Sequence, residues 1–513
     1  MKARDFHSIW VVSVLLVCLQ AEVLAIGVYE TWVARFNGEA NGTDRAFALA
    51  VDQQGNVYVT GSSAGVNSNL DYLTIKYSPA GETLWTRRYD GGARDADRPF
   101  AIAIDQQGNV IVGGEATVSG AGTFDFLTIK YSSGGDILWF KIYNGPEGSF
   151  DEINDLTVDD SGNVYVTGNS WGLGSANDYV TIKYSPSGES LWLNRLNGEG
   201  NSHDIPWAIT VDDSQNVFVT GYGPGLVTGN DYLTVKYSPR GDTLWARRFN
   251  LFGNSDDPAW GLDVDVSGNV LVTGNSGTVK YGPNGESLWG RTEIAGTEVK
   301  VDDFGYVYVV SPSATSKVSA SGQLVWSKSW GGTDLALDKD GNTFICGETE
   351  FYRSIGYTPQ GETLWLKIYQ GPGNTTDGPE DIAVDDFGNV YVTGGSVGDN
   401  TGNDFATIKY SPCFAIPADL NISRNVTLGD VVHLVNYIFD RDKPPCLGVD
   451  PGNCWEFSPS CRGDVNYSGA INLGDVIHLI NFLFDRDKPP CLGSDPGNCW
   501  TPVANGACCL AVP

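Results

Sequence analysis

The feature that most constrains this chain is a short phrase that recurs eight times between residues 51 and 394. Each copy has a β-branched strand end, a Gly/Asn turn and a second alternating strand, which is the pattern of a β-hairpin. The copies are VDQQGNVYVTG (51–61), IDQQGNVIVGG (104–114), VDDSGNVYVTG (158–168), VDDSQNVFVTG (211–221), VDVSGNVLVTG (264–274), VDDFGYVYVVS (301–311), LDKDGNTFICG (337–347) and VDDFGNVYVTG (384–394). This recurrence predicts an all-β repeat architecture.

A second hairpin follows the first in the repeat. In YLTIKYSPAGETLW (72–85) the turn is Ser-Pro-x-Gly-Glu, where Pro fixes φ and Gly takes the position that needs a positive φ. Two hairpins supply four short strands, which is the content of one propeller blade. The 64 Gly residues and the 12% of aromatic residues suit tight turns and large rings packed between layers. We therefore expect a mainly β fold, a β-propeller.

The phase of the repeat predicts how the ring closes. A Trp marks the fourth strand in seven units, but the eighth unit stops at IKYSP (408–412) without one. The missing strand lies at the other end of the chain as TWVARFNG (31–38). We expect this strand to complete the last blade, which leaves no free sheet edge. The prediction is an eight-bladed propeller over residues 26–412, with seven blades as the alternative because units six and seven are degenerate. The seven Trp residues are Trp85, Trp139, Trp192, Trp245, Trp289, Trp326 and Trp365.

The two phrases VDxxGNVYVTG and IKYSPxGExLW resemble the bacterial SBBP-type β-propeller repeat, and the resemblance covers nearly all of residues 27–412. The Gly-to-Trp spacing in SPAGETLW is similar to that of quinoprotein propellers, in which each Trp packs on a Gly of the next blade. This second resemblance implies a mode of packing only.

Charged residues also recur from unit to unit, and recurrence favours a structural role. We expect an Asp–Lys pair in each blade that ties a loop to the third strand, because a buried charge needs a partner. The alternative is a ring of carboxylates at the channel mouth that holds a cation. The recurrent residues are Asp44, Asp97, Asp151, Asp204, Asp257 and Asp377 before the first hairpin, Asp71, Asp125, Asp178, Asp231 and Asp404 opening the third strand, and Lys76, Lys130, Lys183, Lys236, Lys280, Lys317 and Lys409 within it.

Loop length breaks the symmetry of the repeats. The loops after the second and fourth strands are long in units one to four and eight, as in NGPEGSFDEIND (144–155), and short in units five and six. These two loops emerge on the same face of a propeller, and loops are where partners bind. Five contiguous blades are therefore expected to carry an elaborated face, the alternative being simple decay of the shorter repeats.

Composition argues against several classes of function. The net charge is −30 without a basic stripe, which argues against nucleic acid as a partner. The propeller region contains one His, His203, so a Ser–His–Asp triad or a His-ligated metal is not expected there. No catalytic residue is assigned. Paired carboxylates acting on a polysaccharide remain the enzymatic alternative.

The N-terminus has the pattern of a signal peptide over residues 1–25. Lys2 and Arg4 precede the apolar run IWVVSVLLVCL (9–19), and Val23-Leu24-Ala25 ends in a small residue. The run is too short for a mature membrane-spanning helix. We expect an exported protein, secreted or at the cell surface, without a membrane span.

Two repeats 45 residues apart follow the propeller over residues 413–513. The second, GDVNYSGAINLGDVIHLINFLFDRDKPPC (463–491), resembles a type I dockerin repeat, a calcium loop followed by a helix. The resemblance implies calcium ligands at Asp464, Asn466, Ser468, Ala470 (through its carbonyl), Asn472 and Asp475 in the second copy, and at Asp419, Asn421, Ser423, Asn425, Thr427 and Asp430 in the first. The first copy departs from the pattern at the sharp turn, where Arg424 stands in place of the Gly at 469.

The dockerin resemblance implies a cohesin-like or cell-envelope protein as partner, with polysaccharide as a further candidate. Both copies carry Leu-Gly before the last ligand Asp, where dockerins that bind cohesin usually show polar residues. This sequence therefore departs from the dockerin pattern at the positions of the familiar cohesin contacts. The favoured function is a non-catalytic, exported binding or surface-assembly protein.

Eight of the ten Cys residues lie between Cys413 and Cys509, which indicates a disulfide framework in an exported chain. The phrases CLGVDPGNCW (446–455) and CLGSDPGNCW (491–500) each place an Asp-Pro-Gly turn between two Cys residues. We expect local bridges Cys446–Cys454 and Cys491–Cys499, each contributing roughly 2.5 kcal/mol. The pairing of the other four is open.

Overall fold

A computed structural model describes residues 28–412, apart from 67–68, 93–95, 119–122, 200, 226–228, 251–255, 348–351, 374–376 and 400, together with Val476. The segment Tyr29–Pro412 forms one unit. Within it the described strands form eight antiparallel sheets of four strands each. The eight-bladed propeller is therefore confirmed, and the seven-bladed alternative is wrong because the two degenerate units each form a complete sheet.

The strands in chain order are β1 (Val28–Phe36), β2 (Asp44–Val51), β3 (Val57–Ala64), β4 (Leu70–Tyr77), β5 (Thr83–Tyr89), β6 (Arg98–Ile104), β7 (Val110–Ala116), β8 (Asp125–Tyr131), β9 (Ile137–Tyr143), β10 (Asp151–Val158), β11 (Val164–Trp171), β12 (Asn177–Tyr184), β13 (Ser190–Leu196), β14 (Ile205–Val211), β15 (Val217–Pro224), β16 (Asn230–Tyr237), β17 (Thr243–Phe249), β18 (Ala259–Val264), β19 (Val270–Gly274), β20 (Gly277–Tyr281), β21 (Ser287–Arg291), β22 (Glu298–Val301), β23 (Val307–Ser311), β24 (Ala314–Val318), β25 (Leu324–Lys328), β26 (Asp334–Leu337), β27 (Thr343–Gly347), β28 (Tyr352–Tyr357), β29 (Thr363–Tyr369), β30 (Asp377–Val384), β31 (Val390–Val397) and β32 (Asn403–Pro412).

The ring closes through the N-terminal strand, as predicted. The last sheet has the order β1-β32-β31-β30, so β1 is the outer strand of blade 8, while blades 1 to 7 are each formed by four consecutive strands beginning with β2. The Arg35 guanidinium on β1 is 2.9 Å from Asp404 Oδ2 and 2.6 Å from Ser396 Oγ. Blade 8 is thus held by residues more than 350 positions apart in the chain.

Each blade has a turn face and a loop face. The turn face carries the two hairpin turns, and the Asp of the recurrent phrase holds the first of them. In blade 1, Asp52 Oδ1 accepts hydrogen bonds from the backbone N–H groups of Gln54 (3.0 Å) and Asn56 (2.8 Å), and its Oδ2 accepts one from Asn56 Nδ2 (2.7 Å). Gly55 occupies the left-handed region at φ 78°, which explains why Gly recurs there.

Adjacent blades are joined by a contact between Trp and Gly. Trp192 Nε1 donates to the Pro239 carbonyl of the next blade at 3.2 Å. A Cβ added to Gly241, which has φ 90°, would lie 2.9 Å from Trp192 Cδ2. The predicted Trp–Gly packing is therefore confirmed. It recurs in the pairs Trp32–Gly81, Trp85–Gly135, Trp139–Gly188, Trp245–Gly285, Trp289–Gly322 and Trp326–Gly361.

The predicted Asp–Lys pairs exist, but the Asp that pairs with the third-strand Lys is not one of those predicted. Two third-strand lysines pair with the hairpin Asp at the turn face: Lys130 Nζ lies 2.8 Å from Asp105 Oδ2, and Lys280 Nζ lies 2.8 Å from Asp265 Oδ2. Others donate to a backbone carbonyl of the next blade, as Lys76 does to Ser133 at 3.1 Å. The Asp that opens the third strand stands five residues before the Lys, about 17 Å away along an extended strand. In four blades that Asp pairs instead with an Arg of the fourth strand, as Asp71 does with Arg88 at 2.7 Å.

The Asp before the first hairpin holds the loop face together, in agreement with a structural role. Asp97 Oδ2 accepts a hydrogen bond from the Gly91 N–H (2.7 Å), and its Oδ1 accepts one from the Thr117 N–H (2.8 Å). Asp44 and Asp377 make the same two contacts in blades 1 and 8. Both oxygens of these carboxylates serve backbone donors, so the contacts explain the recurrence without a cation.

A substitution at Gly241 tests the inter-blade packing. We expect Gly241→Ala to cost about 2–5 kcal/mol, since it combines a left-handed backbone with overpacking against Trp192. Gly92→Ala is the matched control, because Gly92 has φ 86° but nothing within 4 Å of an added Cβ; it should cost only about 1–2 kcal/mol. Urea unfolding of both variants measures the difference. Equal losses would show that the contact with Trp192 contributes nothing.

Several predictions fall on residues outside the described part of the chain. They are the signal peptide over residues 1–25, both calcium loops with their twelve ligand residues, and the bridges Cys446–Cys454 and Cys491–Cys499. Among the residues that are described, no helix has the length and apolar character needed to cross a membrane.

Candidate functional site

The candidate site lies where the first strands of the blades surround the central channel. In six blades the first strand contains a β-bulge, at which two residues oppose one on the second strand. A bulge redirects the side chain of its extra residue and is common next to functional sites. The six extra residues, here called the bulge ring, are Phe47, Phe100, Asn154, Trp207, Trp260 and Glu380.

Aromatic side chains of the bulge ring touch across blade boundaries. The Phe47 and Phe100 ring centroids are 5.8 Å apart, and those of Trp207 and Trp260 are 5.3 Å apart. Trp207 keeps 37% of its surface exposed. Such pairs are stabilising, but a large exposed aromatic side chain at a channel mouth is also available to a ligand.

The polar members of the ring are held by neighbours. Asn154 Nδ2 donates to the Pro206 carbonyl at 2.6 Å. Glu380 forms an ion pair with Arg45, whose guanidinium also lies over the Phe47 ring at 5.7 Å. A cavity of 620 Å³ opens beside Arg45 and Glu380 and is lined mainly by residues of blades 6 to 8.

Below the bulge ring the channel contains a cavity of 630 Å³. Its walls include Asn154, Trp207 and Trp260 of the bulge ring. It is also lined by five carboxyl groups and one ammonium group, here called the channel cluster: Asp155, Asp263, Glu298, Asp334, Asp381 and Lys300. The aromatic and charged residues thus face the same space.

Four carboxylates of the channel cluster clamp one blade to the next. Asp155 Oδ2 accepts a hydrogen bond from the Ile209 N–H at 2.9 Å, one blade further on. Asp381 Oδ2 does the same with the Leu49 N–H at 2.7 Å. Equivalent bonds join Asp263 to the Val301 N–H and Asp334 to the Ile382 N–H. These charges therefore also hold the first strands together.

The electrostatics of the cluster are dominated by burial. Burial raises the pKa of Asp155 to about 7, against the effect of its backbone donors. Burial and the neighbouring Asp381 carboxyl raise the pKa of Asp334 well above its ordinary value. Lys300 Nζ is 2.7 Å from Glu298 Oε1. Although burial opposes its charge, Glu298, Asp263 and Asp334 raise the pKa of Lys300. One cation therefore faces an excess of carboxyl groups.

The raised pKa of Asp155 predicts how stability changes with pH. The unfolded chain releases this proton near pH 3.9, whereas the folded protein keeps it until about pH 7. The free energy of unfolding should therefore fall as the pH rises from about 4 to about 7. Each unit of pKa difference contributes about 1.4 kcal/mol. Asp97, whose pKa burial raises to about 6, acts in the same direction.

Asp155→Ala should flatten this pH dependence. The substitution places at 155 the residue found at the equivalent position of the next blade, Ala208. It also removes the clamp to Ile209, so we expect lower stability near pH 5 and a smaller decline towards pH 8. Urea unfolding at several pH values measures both effects. Identical pH dependence in the variant and the parent would contradict the raised pKa.

None of the recurrent Asp residues singled out in the sequence is among the lining residues of the 630 Å³ channel cavity. Asp44, Asp97 and Asp377 bind backbone donors of the loop face instead, and carboxylate oxygens of Asp71, Asp90 and Asp97 lie within 4.8 Å of one another. The channel residues were missed because they differ from blade to blade. The signal was nevertheless present: four positions before the hairpin Asp the eight blades carry Ala48, Ala101, Asp155, Ala208, Gly261, Glu298, Asp334 and Asp381.

Glu115 forms an ion pair with Arg98 at 2.6 Å, and the Arg98 charge also acts on Glu152. Burial and Glu152 raise the pKa of Glu115 to about 7, and burial also raises the pKa of Glu152. His203 is exposed and contacts the Trp171 ring at 5.6 Å.

A family model described as Beta-propeller repeat (SBBP) matches three segments of the chain, residues 31–67, 138–174 and 365–400. Each segment begins in the fourth strand of one blade and continues into the next blade. The sequence repeat is therefore offset from the structural blade, in the same way as the strand that closes the ring.

Known proteins are similar to this chain over limited lengths. An uncharacterized WD repeat-containing protein of Acanthamoeba polyphaga mimivirus is 26% identical over 298 residues, 48% of this chain and 20% of that protein. The NHL repeat-containing protein 3 of Homo sapiens is 32% identical over 111 residues, 20% of this chain and 31% of that protein. The chain thus matches less than a third of either relative.

A crystal structure of a protein of unknown function from Bacteroides caccae is 14% identical, covering 51% of this chain and 93% of that one with a TM-score of 0.34. The chain is a propeller protein that carries the Beta-propeller repeat.

Proposed function

We propose that this chain is a non-catalytic binding protein that recognises its partner at the loop face, where the bulge ring surrounds the channel mouth. The observation that carries the proposal is the contrast between two sets of residues. Residues of the Trp–Gly contacts and of the hairpin turns recur from blade to blade, whereas the bulge-ring residues differ and include aromatic side chains in touching pairs. Variation at one repeat position on a rigid ring is typical of a binding surface.

The rest of the chain supports an extracellular setting for this binding. The pattern of residues 1–25 favours export, and the eight Cys residues between Cys413 and Cys509 suit an oxidising compartment. We further propose that the dockerin-like repeats bind calcium and attach the protein to a cohesin-like or cell-envelope partner. The propeller would then recognise a ligand while the C-terminal repeats fix its location.

An arrayed panel of peptides and glycans tests the proposed binding surface. Labelled full-length protein is compared with Trp207→Ala/Trp260→Ala and with a control, Phe304→Ala/Phe387→Ala. The control removes two aromatic side chains of the turn face that are 80% and 61% exposed. We expect the tryptophan variant to lose about tenfold or more in affinity and the control to bind like the parent.

The same panel separates binding from catalysis. New reducing ends on the glycans, lost when Glu115 or Glu152 is replaced by Gln, would contradict a non-catalytic role and favour the polysaccharide-acting alternative. Equal loss of binding in both double variants would place the binding surface somewhere other than the channel mouth.

A further inference from the structure

We propose that the channel mouth accepts an arginine side chain of a partner polypeptide, with the guanidinium group placed between the tryptophans of the bulge ring and the carboxylates of the channel cluster. This inference rests on the proposed function, because it names the chemistry of the ligand bound at the same mouth. It adds the class of the partner: an extended peptide that presents a basic residue.

The aromatic part of the argument comes from the cavity walls. Trp207 and Trp260 line the 630 Å³ cavity, and Trp207 is accessible from solvent. A guanidinium group is planar, weakly hydrated and stacks on aromatic faces. The chain already uses this interaction on its loop face, since the Arg353 guanidinium lies over the Trp330 ring at 4.1 Å.

The charged part of the argument is the imbalance inside the same cavity. Five carboxyl groups line it, and the one ammonium among its lining residues is that of Lys300. Burial raises the pKa of Asp263 and of Asp381, although Lys300 and backbone donors act in the opposite direction. A second cation in this space would add to the attraction that Lys300 provides. Electrostatic complementarity therefore selects a cationic occupant and disfavours an anionic or neutral one.

Access to the mouth favours a side chain carried on an extended segment. Blades 5 and 6 have two-residue connections between their second and third strands, at 275–276 and 312–313. The 620 Å³ cavity next to Arg45 and Glu380 is lined by Pro312 of the second connection, by Gly331, Gly332 and Thr333, and by residues of blade 8. A peptide can thus cross the rim there and direct one side chain towards the axis.

The test uses full-length protein and a matched pair of peptides. One is an acetylated, amidated Gly-Arg-Gly-Arg-Gly peptide, and the other has citrulline in place of both arginines, which keeps the shape but removes the charge. Tryptophan fluorescence and calorimetric titration measure binding. We expect the arginine peptide to bind at least about tenfold more tightly than the citrulline peptide.

Two variants and one control locate the site. Trp207→Ala and Asp263→Asn should each weaken binding of the arginine peptide by about tenfold, whereas Phe304→Ala on the turn face should leave it unchanged. Thermal melts establish that each variant is folded, and Trp207 is exposed enough for its removal to be tolerated. Equal binding of both peptides, absence of binding at about 1 mM, or full binding by Trp207→Ala would overturn the inference.

The outcome is distinguishable from failure of the proposed function. If the arrayed panel yields neutral ligands whose binding depends on Trp207 and Trp260, the binding surface is correct and the arginine inference is wrong. If the panel yields ligands that bind the Trp207→Ala/Trp260→Ala variant as tightly as the parent, the proposed surface itself is wrong.

Discussion

Removal of residues 26–38 should destabilise the entire propeller, because the deletion takes away β1 and with it the outer strand of blade 8. Trp32 Nε1 donates to the Pro79 carbonyl at 3.0 Å, and its ring packs against Gly81 of blade 1. Arg35 adds its ion pair with Asp404. Loss of the Trp32 side chain alone should cost about 3–5 kcal/mol if its ring is well packed, so loss of the strand should cost more.

The deletion should also expose β32 as a free edge, which promotes pairing between molecules. Circular dichroism melts and size-exclusion chromatography measure the two effects. A chain that lacks only residues 1–25 is the matched control and should melt and elute like the parent. A synthetic peptide of residues 27–38, added to the deleted protein, should restore part of the lost stability. A deletion variant that melts like the control, with or without the peptide, would show that β1 does not close the ring.

The strand phase was predictable because it depends on local chemistry. Hairpin turns need particular residues, such as Gly55 with its positive φ, and a Trp at the end of each unit marks the fourth strand. Once the eighth unit lacked that strand, closure by residues 31–38 followed from the need to avoid a free sheet edge. These rules act over a few residues, so they are visible in one sequence.

The pairing of charges was harder to predict because it depends on position along the strand. Lys76 and Asp71 belong to the same strand, β4, but at opposite ends of it. Composition alone suggests that they pair, whereas the geometry directs Lys76 Nζ to the Ser133 carbonyl of the next blade at 3.1 Å and Asp71 to Arg88. A pattern search finds which residues recur without showing which end of a blade they occupy.

The bulge ring escaped prediction for a different reason. A bulge adds one residue to one strand and changes register without changing composition. If the first strand is assumed to be a regular strand, Phe47 and Trp207 fit the ordinary alternation of its side chains, and nothing in the sequence marks them as extra residues. Only the pairing of Ala46 with Gly61 followed by Ala48 with Thr60 shows that Phe47 is the extra residue. The bulge-ring residues, which vary between repeats, therefore form the candidate site, while the recurrent Trp, Gly and hairpin Asp residues stabilise the fold.

The second large effect is expected at the C-terminal repeats, where Asp464→Ala should abolish the tighter of two calcium-binding events. The dockerin resemblance assigns Asp464 to the first position of the second loop and Gly469 to the sharp turn at the sixth. The equivalent turn residue of the first loop is Arg424, which would add backbone strain and a positive charge near a bound ion. On this assignment each loop would offer two ligand carboxylates, Asp464 and Asp475 or Asp419 and Asp430.

Calorimetric titration of the full-length, oxidised protein with calcium, after removal of metal by a chelator, measures this difference. The tighter event should have a dissociation constant of about 10⁻⁶–10⁻⁴ M and should weaken at least about a hundredfold in Asp464→Ala. Asp419→Ala should remove at most a weak event, and Asp97→Asn is the control for carboxylates of the propeller. Because binding energy at such a loop is also folding energy, helical circular dichroism should rise in the same titration. A chain with no calcium-dependent heat, or one in which Asp464→Ala and Asp97→Asn behave alike, would defeat the assignment of these loops as calcium sites.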